Sequence, residues 1–407
     1  MISDKVRIAL RILIVVILVF AFTIIGVYIG YNYVLSQEAR FDELSSGIAE
    51  GKYVIKKDTP GAVPILLETG DSTSDIADKL QEQGLIDNTF MFSLLSKING
   101  FDGAYIEGTH YVKAGLTYDE IMYYLTLEPA SVTVTIPEGT TYEEIKEILH
   151  KGGLNFDDAE FDKCMNSPDL FVDYNFISAI EIDDERDFIL SGYLFPDTYT
   201  FDVNASPESV IRKFLNNMNN KLYAEFFTRA EKIGMSMDEV ITLASIIQSE
   251  TSSVRDMMYI SAVFHNRLDS KKEDMQFLSS SATINYLIKK SGGKASIKHS
   301  SADLDINSPY NTYKNRGLTP GPICMPGLDA ISAALYPEPN CNYMYFCATG
   351  NGGTAFAVTL KDHEKNIAKY SENWDKDEDE SDYNADTDLG DGDTDEDTDT
   401  TETTAEQ

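Results

Sequence analysis

A charge-free stretch near the N-terminus is the feature that most constrains how this chain folds. Residues 12–37 contain no charged residue, and the run from Ile12 to Gly30 is almost wholly apolar. A helix of that length crosses a hydrocarbon layer of ~30 Å. We therefore predict that residues 1–36 comprise a short N-terminus and one transmembrane helix.

The flanking charges predict the orientation of that helix. Lys5, Arg7 and Arg11 precede it, and the first charged residue after it is Glu38. Basic residues mark the cytoplasmic side, so we expect a cytoplasmic N-terminus and an extracytoplasmic remainder. A cleaved signal peptide is the alternative, but the apolar run is long for one and no A-x-A site closes it. The pattern favours an uncleaved, single-pass anchor in the cell membrane.

The negative charge is concentrated at the C-terminus. The chain of 407 residues has a net charge of −34, and residues 372–407 contribute −16 of it, with Lys376 as their only base. We expect a disordered acidic tail there, because such a segment has little apolar surface to bury. Asp391, Asp393 and Asp395 resemble the start of a calcium loop, but Glu396 stands where that loop needs glycine. Nucleic acid is excluded as a partner by the lack of basic clusters, and we expect no metal or cofactor.

Four cysteines lie in the part predicted to be extracytoplasmic. None forms a C-x-x-C pair, so a zinc site is not expected. Cys341 and Cys347 are close enough in sequence to close a small disulfide loop, whereas buried free thiols fit equally well. The sequence leaves both states open for these two and for Cys164 and Cys324.

Helical and strand patterns beyond the anchor predict a mixed α+β fold. Residues 37–57 have the composition of a polar stalk, and compact patterns begin at residue 58. Strands alternate with helices whose first turns carry capping boxes, as at Ser72, Thr117 and Thr141. A long helical segment over 206–233, interrupted at most once, a strand pair near 343–359 and a last helix over 360–370 complete the pattern.

One carboxylate occupies an unusual position for an acid. Ser236 is a good N-cap for a helix that is apolar on nearly every side and ends at Glu250, which shares a face with Leu243 and Ile247. A lone acid on a core-facing stripe raises its pKa or finds a partner. Two readings stay open from spacing alone: a general acid, or a helix-end acid paired with Arg255 or Arg267.

An ordered set of short segments surrounds that helix. The segments are Ile136-Pro-Glu-Gly139, Gly192-Tyr-Leu-Phe-Pro-Asp-Thr-Tyr199, Leu243-Ala-Ser-Ile-Ile-x-x-Glu250, Arg255, Val263-Phe-x-Asn-Arg-Leu268, Ser308-Pro-Tyr-Asn-Thr-Tyr313 and Gly317-Leu-x-Pro-Gly-Pro-Ile323. The ordered set closely resembles the endolytic murein transglycosylases, also called the YceG-like family, over roughly residues 60–371.

The resemblance implies a domain plan and a catalytic residue. It implies a small LysM-like module, which the helices and strands of residues 58–130 match, and a YceG-like catalytic domain over 131–371. The second acid of the family's Ile-Val-Glu-Lys-Glu-like segment is its catalytic glutamate, and that acid is Glu250 here. The first acid of the segment is replaced by Gln248, which lies on another side of the helix.

The activity implied is cleavage of the MurNAc–GlcNAc bond of nascent glycan strands, leaving 1,6-anhydroMurNAc ends. A lytic transglycosylase needs only one carboxyl group as acid and then base, because the sugar's own hydroxymethyl oxygen attacks the anomeric carbon. We expect Glu250 to have this double role. By resemblance the protein would work beside the peptidoglycan synthesis machinery.

Several other residues are candidates for a supporting role. Tyr310, Asn311 and Tyr313 have side chains suited to a saccharide groove, and a purely structural role in the loop, with Asn311 capping a turn, fits equally well. Arg255 has the options of contacting substrate, positioning Glu250 or forming a structural ion pair. Asn266 is expected to brace the end of its helix.

Two departures from the family pattern bear on activity. Ser191 stands where the family usually has Glu, and Leu278-Ser-Ser-Ser-Ala-Thr283 replaces a Leu-Gln-Ser-Asp-Pro-Thr-like stretch. These changes motivate an alternative function, a catalytically attenuated wall-binding or scaffolding protein of the same fold. An ordinary muramidase is a third possibility, and it would need a second acid near Glu250.

Overall fold

The N-terminal helix has the length and exposure expected of a membrane span. The structure is a computed structural model that describes residues 4–50, 55–57, 59–180, 182 and 184–385. Helix α1 (Asp4–Leu35) contains the segment Leu10–Tyr33, which is long and apolar enough to cross a membrane, and none of that segment is buried against protein. Helix α2 (Gln37–Ala49) follows in the predicted stalk.

A β-α-α-β arrangement forms the core of the first of two compact units, which comprises residues 1–134, 149–156 and 198–206. Its two strands pair antiparallel, with Ile65 opposite His110. Ile76, Leu80 and Phe92 form one hydrophobic cluster with Ile65 and Leu67 of this strand pair and are almost fully buried. The elements of this arrangement and the helix after it are β1 (Ala62–Leu67), α3 (Thr73–Glu82), α4 (Thr89–Asn99), β2 (Gly108–Lys113) and α5 (Tyr118–Tyr124).

The capping pattern predicted from sequence is present at three helix starts. Ser72 and Thr117 accept hydrogen bonds from backbone N–H groups three residues on, and the acids at those positions bond back to the caps. Thr141 and Glu144 form the same reciprocal pair. Each box satisfies N–H groups that a helix leaves unpaired at its first turn, so it fixes where the helix begins.

The remaining strands of this unit form a second two-stranded sheet, β3 (Ser131–Thr135) with β4 (Thr198–Asp202). Backbone bonds from Asn155 to Val203 and from Val203 to Ala130 tie neighbouring segments to it. Strand residues far apart in sequence therefore meet in one sheet.

The second unit comprises residues 135–148, 157–197 and 207–407 and is mostly helical. The helices that begin in this unit, before the last one, are α6 (Tyr142–Lys151), α7 (Asp158–Met165), α8 (Asn175–Ser178), α9 (Pro207–Lys221), α10 (Ala224–Ile233), α11 (Met237–Glu250), α12 (Val254–Leu268), α13 (Ser281–Lys290), α14 (Ser301–Leu304) and α15 (Leu328–Leu335). The segment predicted over 206–233 is interrupted once, between α9 and α10. Helix α11 is buried along most of its length and packs on α15 and α12.

The last helix is longer than the sequence pattern predicts. Strands β5 (Tyr345–Ala348) and β6 (Thr354–Ala357) pair antiparallel, and α16 (Leu360–Ala385) packs on them. The predicted end near residue 370 and the start of disorder at 372 are wrong for residues 372–385, which are helical. Asn373 Nδ2 donates to Thr349 O (3.0 Å) and Trp374 Nε1 donates to Ala348 O (2.9 Å), which ties the helix to β5 and its turn. Residues 386–407 of the predicted tail lie outside the described residues.

All four cysteines are free thiols. Cys324 is buried beside α11, where its Sγ donates to Ser245 O (3.2 Å) and lies 3.3 Å from Ser249 Oγ. Burial raises the pKa of this thiol to about 12, so it stays protonated and unreactive. Cys341 and Cys347 do not form the disulfide that the sequence left open.

Candidate active site

Glu250 is the last residue of helix α11, which is buried along most of its length. Its N-cap, Ser236, forms a capping box with Glu239. Asp238 in the first turn accepts hydrogen bonds from Arg186 Nη1 (2.7 Å) and from Tyr193 OH (2.7 Å). The residues from Val240 to Ile247 are buried on every side, as the sequence predicts. Such packing leaves the last residue of the helix, Glu250, little freedom of position.

The Glu250 carboxyl group faces the start of helix α13. Ser280 Oγ donates a hydrogen bond to Glu250 Oε1, and the backbone N–H of Ala282 donates to the same carboxyl group. Burial raises the pKa of Glu250, and this effect outweighs the lowering by Ser280, Ala282 and the more distant Arg267. The carboxyl group therefore retains a proton at higher pH than an exposed glutamate does.

The structure rules out the ion-pair alternative for Glu250 within its described residues. Arg267 donates instead to three backbone carbonyls, those of Met344 (Nε, 2.7 Å), Phe277 (Nη1, 3.2 Å) and Leu278 (Nη1, 2.6 Å). Arg255 is exposed, and its guanidinium carbon lies 5.8 Å from the centre of the Tyr259 ring. Without a salt bridge, the acid can cycle between its protonated and ionised forms.

A strained turn holds the hydroxyl donor against Glu250. Ser279 has φ +47°, a left-handed conformation uncommon for residues other than glycine. Its N–H donates to Thr312 O (3.1 Å), and the N–H of Ser280 donates to Thr312 Oγ1 (3.0 Å). The Thr312 hydroxyl also lies 2.9 Å from that of Thr283. Thr312 thus fixes the position of Ser280, which is almost fully buried.

Sequence reasoning missed the roles of Ser280, Ala282 and Thr312. Leu278, Ser280 and Thr283 are the positions where the stretch still agrees with the family pattern, and the agreement at Ser280 was the available signal. Ala282 stands where the pattern has proline, which has no N–H to donate. Because alanine replaces proline at position 282, this chain has a backbone N–H there that donates to the Glu250 carboxyl group.

Of the three aromatic and amide candidates in the loop after α14, one lies beside the acid. Tyr313 is partly exposed, and its OH lies 3.3 Å from Ser281 Oγ. Burial raises the pKa of Tyr313, Ser281 lowers it, and the nearby Glu250 raises it further. Tyr313 is therefore the one of these three candidates that is partly exposed and lies near Glu250.

Tyr310 and Asn311 are buried, and their contacts are those of loop structure. Asn311 Nδ2 donates to Leu304 O (3.0 Å) and to Ile306 O (2.8 Å), while its Oδ1 accepts from the N–H of Tyr313 (2.9 Å). Tyr310 OH accepts from a backbone N–H, and its ring packs 5.2 Å from that of Tyr286. Asn311 therefore has the structural, turn-capping role that was the alternative to binding a saccharide.

We predict that Asn311→Ala destabilises the protein, because it leaves two partly buried carbonyls and one partly buried N–H without this partner. A fully buried group of this kind costs about 1–3 kcal/mol, and water can reach these in part, so we expect a loss in unfolding free energy of about 2 kcal/mol in all. Thermal unfolding of the full chain in detergent measures it. Asn307→Ala, the same substitution at an exposed position of the same loop, is the control and should leave the midpoint unchanged; a midpoint for Asn311→Ala equal to that of Asn307→Ala would contradict the assignment.

The other supporting candidates act at a distance from Glu250. Gln248 Oε1 accepts from the N–H of Gly327 (2.9 Å), and its side chain bonds to Glu138. Burial and the neighbouring Asp329 raise the pKa of Glu138. Gln248 thereby joins the start of α15 to the Pro-Glu-Gly turn. Asn266 Nδ2 donates to the carbonyls of Cys341 (3.0 Å) and Tyr343 (2.9 Å), so it braces the end of α12 as expected.

The contact between Gln248 and Glu138 yields a second prediction. In Gln248→Glu, a second carboxylate would face Glu138, and the pKa of Glu138 would rise further because like charges disfavour ionisation. A raised folded-state pKa means stability that is present at acidic pH and lost as the pH rises through that pKa. We expect the variant to unfold at lower temperature than the wild type at pH 8, and the gap to close below about pH 4. Melting curves across that range measure the effect, and an equal gap at both pH values would contradict it.

The sequence of this chain is similar to a family model, to named bacterial proteins and to a protein of solved structure. The model of the YceG-like family matches residues 65–369. The endolytic murein transglycosylase of Bacillus subtilis (strain 168) is 32% identical over 334 residues, which cover 78% of this chain and 87% of the relative. The protein of the same name from Streptococcus pneumoniae (serotype 2, strain D39) is 28% identical over 363 residues, covering 85% of this chain and 62% of the relative.

A solved structure agrees with these matches. The crystal structure of a putative yceG-like protein from Listeria monocytogenes has 31% sequence identity and a TM-score of 0.51, and the alignment covers 75% of this chain and 98% of that one. Because the family model matches most of the sequence, we conclude that the chain belongs to the YceG-like family.

Proposed function

We propose that the protein is a membrane-anchored endolytic peptidoglycan lytic transglycosylase with Glu250 as its general acid and base. The observation that carries the proposal is the state of Glu250. It is a carboxyl group with a raised pKa, no ion-pair partner among the described residues, and two hydrogen-bond donors that hold it in place. The relatives named endolytic murein transglycosylase support the substrate, the glycan strands of peptidoglycan.

The chemistry balances with one carboxyl group. Protonated Glu250 donates its proton to the glycosidic oxygen, the bond from that oxygen to C1 of MurNAc breaks, and GlcNAc leaves with a free hydroxyl group. The C6 hydroxyl oxygen of the same MurNAc then bonds to C1, and its proton passes to the Glu250 carboxylate. The products are a GlcNAc end and a 1,6-anhydroMurNAc end, and the acid is regenerated.

Two features of the site suit this chemistry better than hydrolysis. An ordinary muramidase uses a second carboxylate as nucleophile or as base for water. The groups that act on the Glu250 carboxyl are Ser280, Ala282 and Arg267, and no acid is among them in the described part of the chain. The donors from Ser280 and Ala282 stabilise the carboxylate that must later accept the proton.

The proposal also covers the placement and domain plan of the protein. The exposed apolar surface of α1 and the basic residues before it support a single-pass anchor with the catalytic domain outside the cell membrane. The β-α-α-β arrangement of β1, α3, α4 and β2 supports the assignment of residues 58–130 as a LysM-like module. We assign residues 131–371 to the catalytic domain and place the enzyme beside the peptidoglycan synthesis machinery.

Isotope labelling of the products distinguishes this reaction from hydrolysis. The full chain in detergent is incubated with purified glycan strands in water enriched in oxygen-18, and the ends are identified by mass. We expect unlabelled anhydroMurNAc ends, because no water enters the bond. Reducing MurNAc ends carrying oxygen-18 would identify a muramidase, and equal inactivity of the wild type and Glu250→Gln would favour the wall-binding scaffold.

A further inference from the structure

The second unit contains a cavity that the catalytic proposal does not use. It lies between α6, the segment 187–191 and the end of α13 with the loop after it, and we call it the α6–α13 cavity. Its volume is about 830 Å³. Pockets that bind small molecules fall within about 300–1,000 Å³, so it is large enough for a ligand of several residues.

The two walls of the cavity carry opposite charges. The α6 wall presents Glu143, Glu144 and Glu147, of which Glu143 also pairs with Lys146 of the same helix (2.9 Å). The opposite wall presents Lys289 and Lys290 from α13 and Lys294 from the loop after it, with Asp187 beside them. Charges separated in this way favour a ligand that itself has both signs, with an amine facing α6 and a carboxylate facing α13.

Contacts across the cavity hold the walls at a fixed separation. Lys289 Nζ lies 3.0 Å from Glu144 Oε1, and Lys290 Nζ pairs with Asp187. Tyr286 OH donates to Asp187 Oδ2 (2.5 Å). Burial raises the pKa of Glu144, but the Thr141 N–H and Lys289 outweigh it, so the net shift is downward and this acid is ionised at neutral pH. The cavity is thus formed before a ligand arrives, which lowers the entropic cost of binding.

Aromatic rings add apolar contact area to the charged walls. Tyr142 and Phe188 both line the cavity, and their ring centres lie 4.3 Å apart. The Tyr286 ring lines it from the α13 side. A pocket with apolar surfaces and a few placed charges fits peptide-like ligands.

Helix α13 connects this cavity to the acid. The N-cap of α13, Ser280, bonds to Glu250, and Lys289 in its last turn lines the cavity. Nine residues of helix separate the two, a rise of about 13.5 Å. A glycan bond held at Glu250 would therefore have its substituents within reach of the cavity.

We propose that the α6–α13 cavity binds the peptide stem carried by the muramic acid residues of the glycan strand. This inference rests on the proposed function. While a stem amidates the lactyl carboxyl group of each muramic acid, the sugars of the strand are uncharged, so walls of both signs would gain nothing from them and would lose hydration on contact. Stripping leaves one lactyl carboxylate on each muramic acid and no amine. The stem is the part of the polymer that has a free amine and free carboxylates.

The test compares two substrates and one direct binding measurement. The full chain in detergent acts on glycan strands that carry stems and on the same strands stripped by an amidase. The cavity variant is Glu147→Gln with Lys294→Gln, which removes one charge from each wall. The matched control is Glu231→Gln with Lys232→Gln on the exposed surface of α10. Calorimetry measures binding of the synthetic tetrapeptide L-Ala-γ-D-Glu-L-Lys-D-Ala to the Glu250→Gln protein.

We expect the cavity variant to raise KM for stem-bearing strands by about fivefold at unchanged kcat, as loss of two partly exposed charges implies. Stripped strands should show no change, and the control should match the wild type on both. Equal effects on the two substrates, or none, would overturn the proposal. If the wild type cleaves neither substrate, the proposed function fails, and the binding measurement then tests the cavity alone. Adding the cavity substitutions to Glu250→Gln should weaken tetrapeptide binding about fivefold. Unchanged binding, or no binding in Glu250→Gln itself, would overturn the proposal for the cavity.

Discussion

Replacing Glu250 by glutamine is expected to lower the rate of strand cleavage by about 10³-fold, near the full contribution of general acid–base catalysis. Glutamine has almost the same size and keeps an oxygen that can accept from Ser280. It has no proton to transfer at neutral pH. The loss should therefore appear in kcat, with little change in KM. Strand shortening by the full chain in detergent, measured at several substrate concentrations, separates the two.

The matched control for this change is Glu231→Gln, the same substitution at an exposed site on α10. Its kcat and KM should equal those of the wild type. A rate for Glu250→Gln above about a tenth of the wild-type rate would mean that another group supplies the proton.

The same substitution is expected to stabilise the fold, which separates loss of chemistry from loss of structure. The pKa of Glu250 is raised above its unfolded value of 4.5 because burial disfavours the charged form. A raised folded-state pKa means that the contribution of this group is fully present below about pH 4.5 and is lost as the pH rises through the folded-state pKa. At pH 8 the variant should melt above the wild type, and at pH 4 the two should melt together.

The parts of the fold that depend on local sequence were predictable, and the parts that depend on distant contacts were not. The helix starts at Ser72, Thr117 and Ser236 follow from capping residues next to the helix itself. The end of α16 does not, because Asn373 and Trp374 reach carbonyls more than twenty residues back in the chain. Amino-acid composition alone predicts disorder for such an acidic segment, because composition does not reveal hydrogen bonds to distant residues.

The candidate site divides in the same way. Glu250 stands out in sequence because an acid on an apolar helix is unusual whatever surrounds it. Whether Arg267 forms an ion pair with Glu250 depends on contacts that the local sequence does not give. The Arg267 guanidinium donates hydrogen bonds to the carbonyls of Phe277, Leu278 and Met344 instead. The contact from Thr312 to Ser280 spans 32 residues, and no spacing rule predicts it.

The backbone N–H of Ala282 gives a second large expected effect, on the pH dependence of the reaction. Ala282→Pro removes that N–H within the first turn of α13, where a helix tolerates proline because its N–H groups have no intrahelical partner. The Glu250 carboxylate then loses one of the donors that stabilise its charge, so the pKa of Glu250 rises. Ser280→Ala removes the other donor and should move the pKa in the same direction.

The control for a proline in this turn is Ser281→Pro. Ser281 is the first helical residue, the position that proline prefers, and the preceding Ser280 has the extended backbone that proline favours (φ −86°, ψ 126°), whereas Ala282→Pro follows a helical residue. Melting curves of both variants must therefore match that of the wild type before their pH profiles are compared, and Ser280→Ala tests the donors without any proline. This variant keeps the Ala282 N–H, so the pKa of Glu250 should stay close to that of the wild type. A shift in Ser281→Pro as large as that in Ala282→Pro would mean that the turn, and not the N–H, controls the acid.

The measurement is the pH profile of kcat/KM, whose basic limb reports the general acid in the free enzyme. A general acid works while protonated, so the rate falls as the pH rises through its pKa. A higher pKa moves that fall to higher pH, and we expect Ala282→Pro and Ser280→Ala to stay active at alkaline pH where the wild type has declined. Ser280→Ala should also lose about tenfold in kcat at all pH values, because the carboxyl group is held less firmly. A basic limb that moves to lower pH, or stays in place in both variants, would show that these donors do not set the acidity of Glu250.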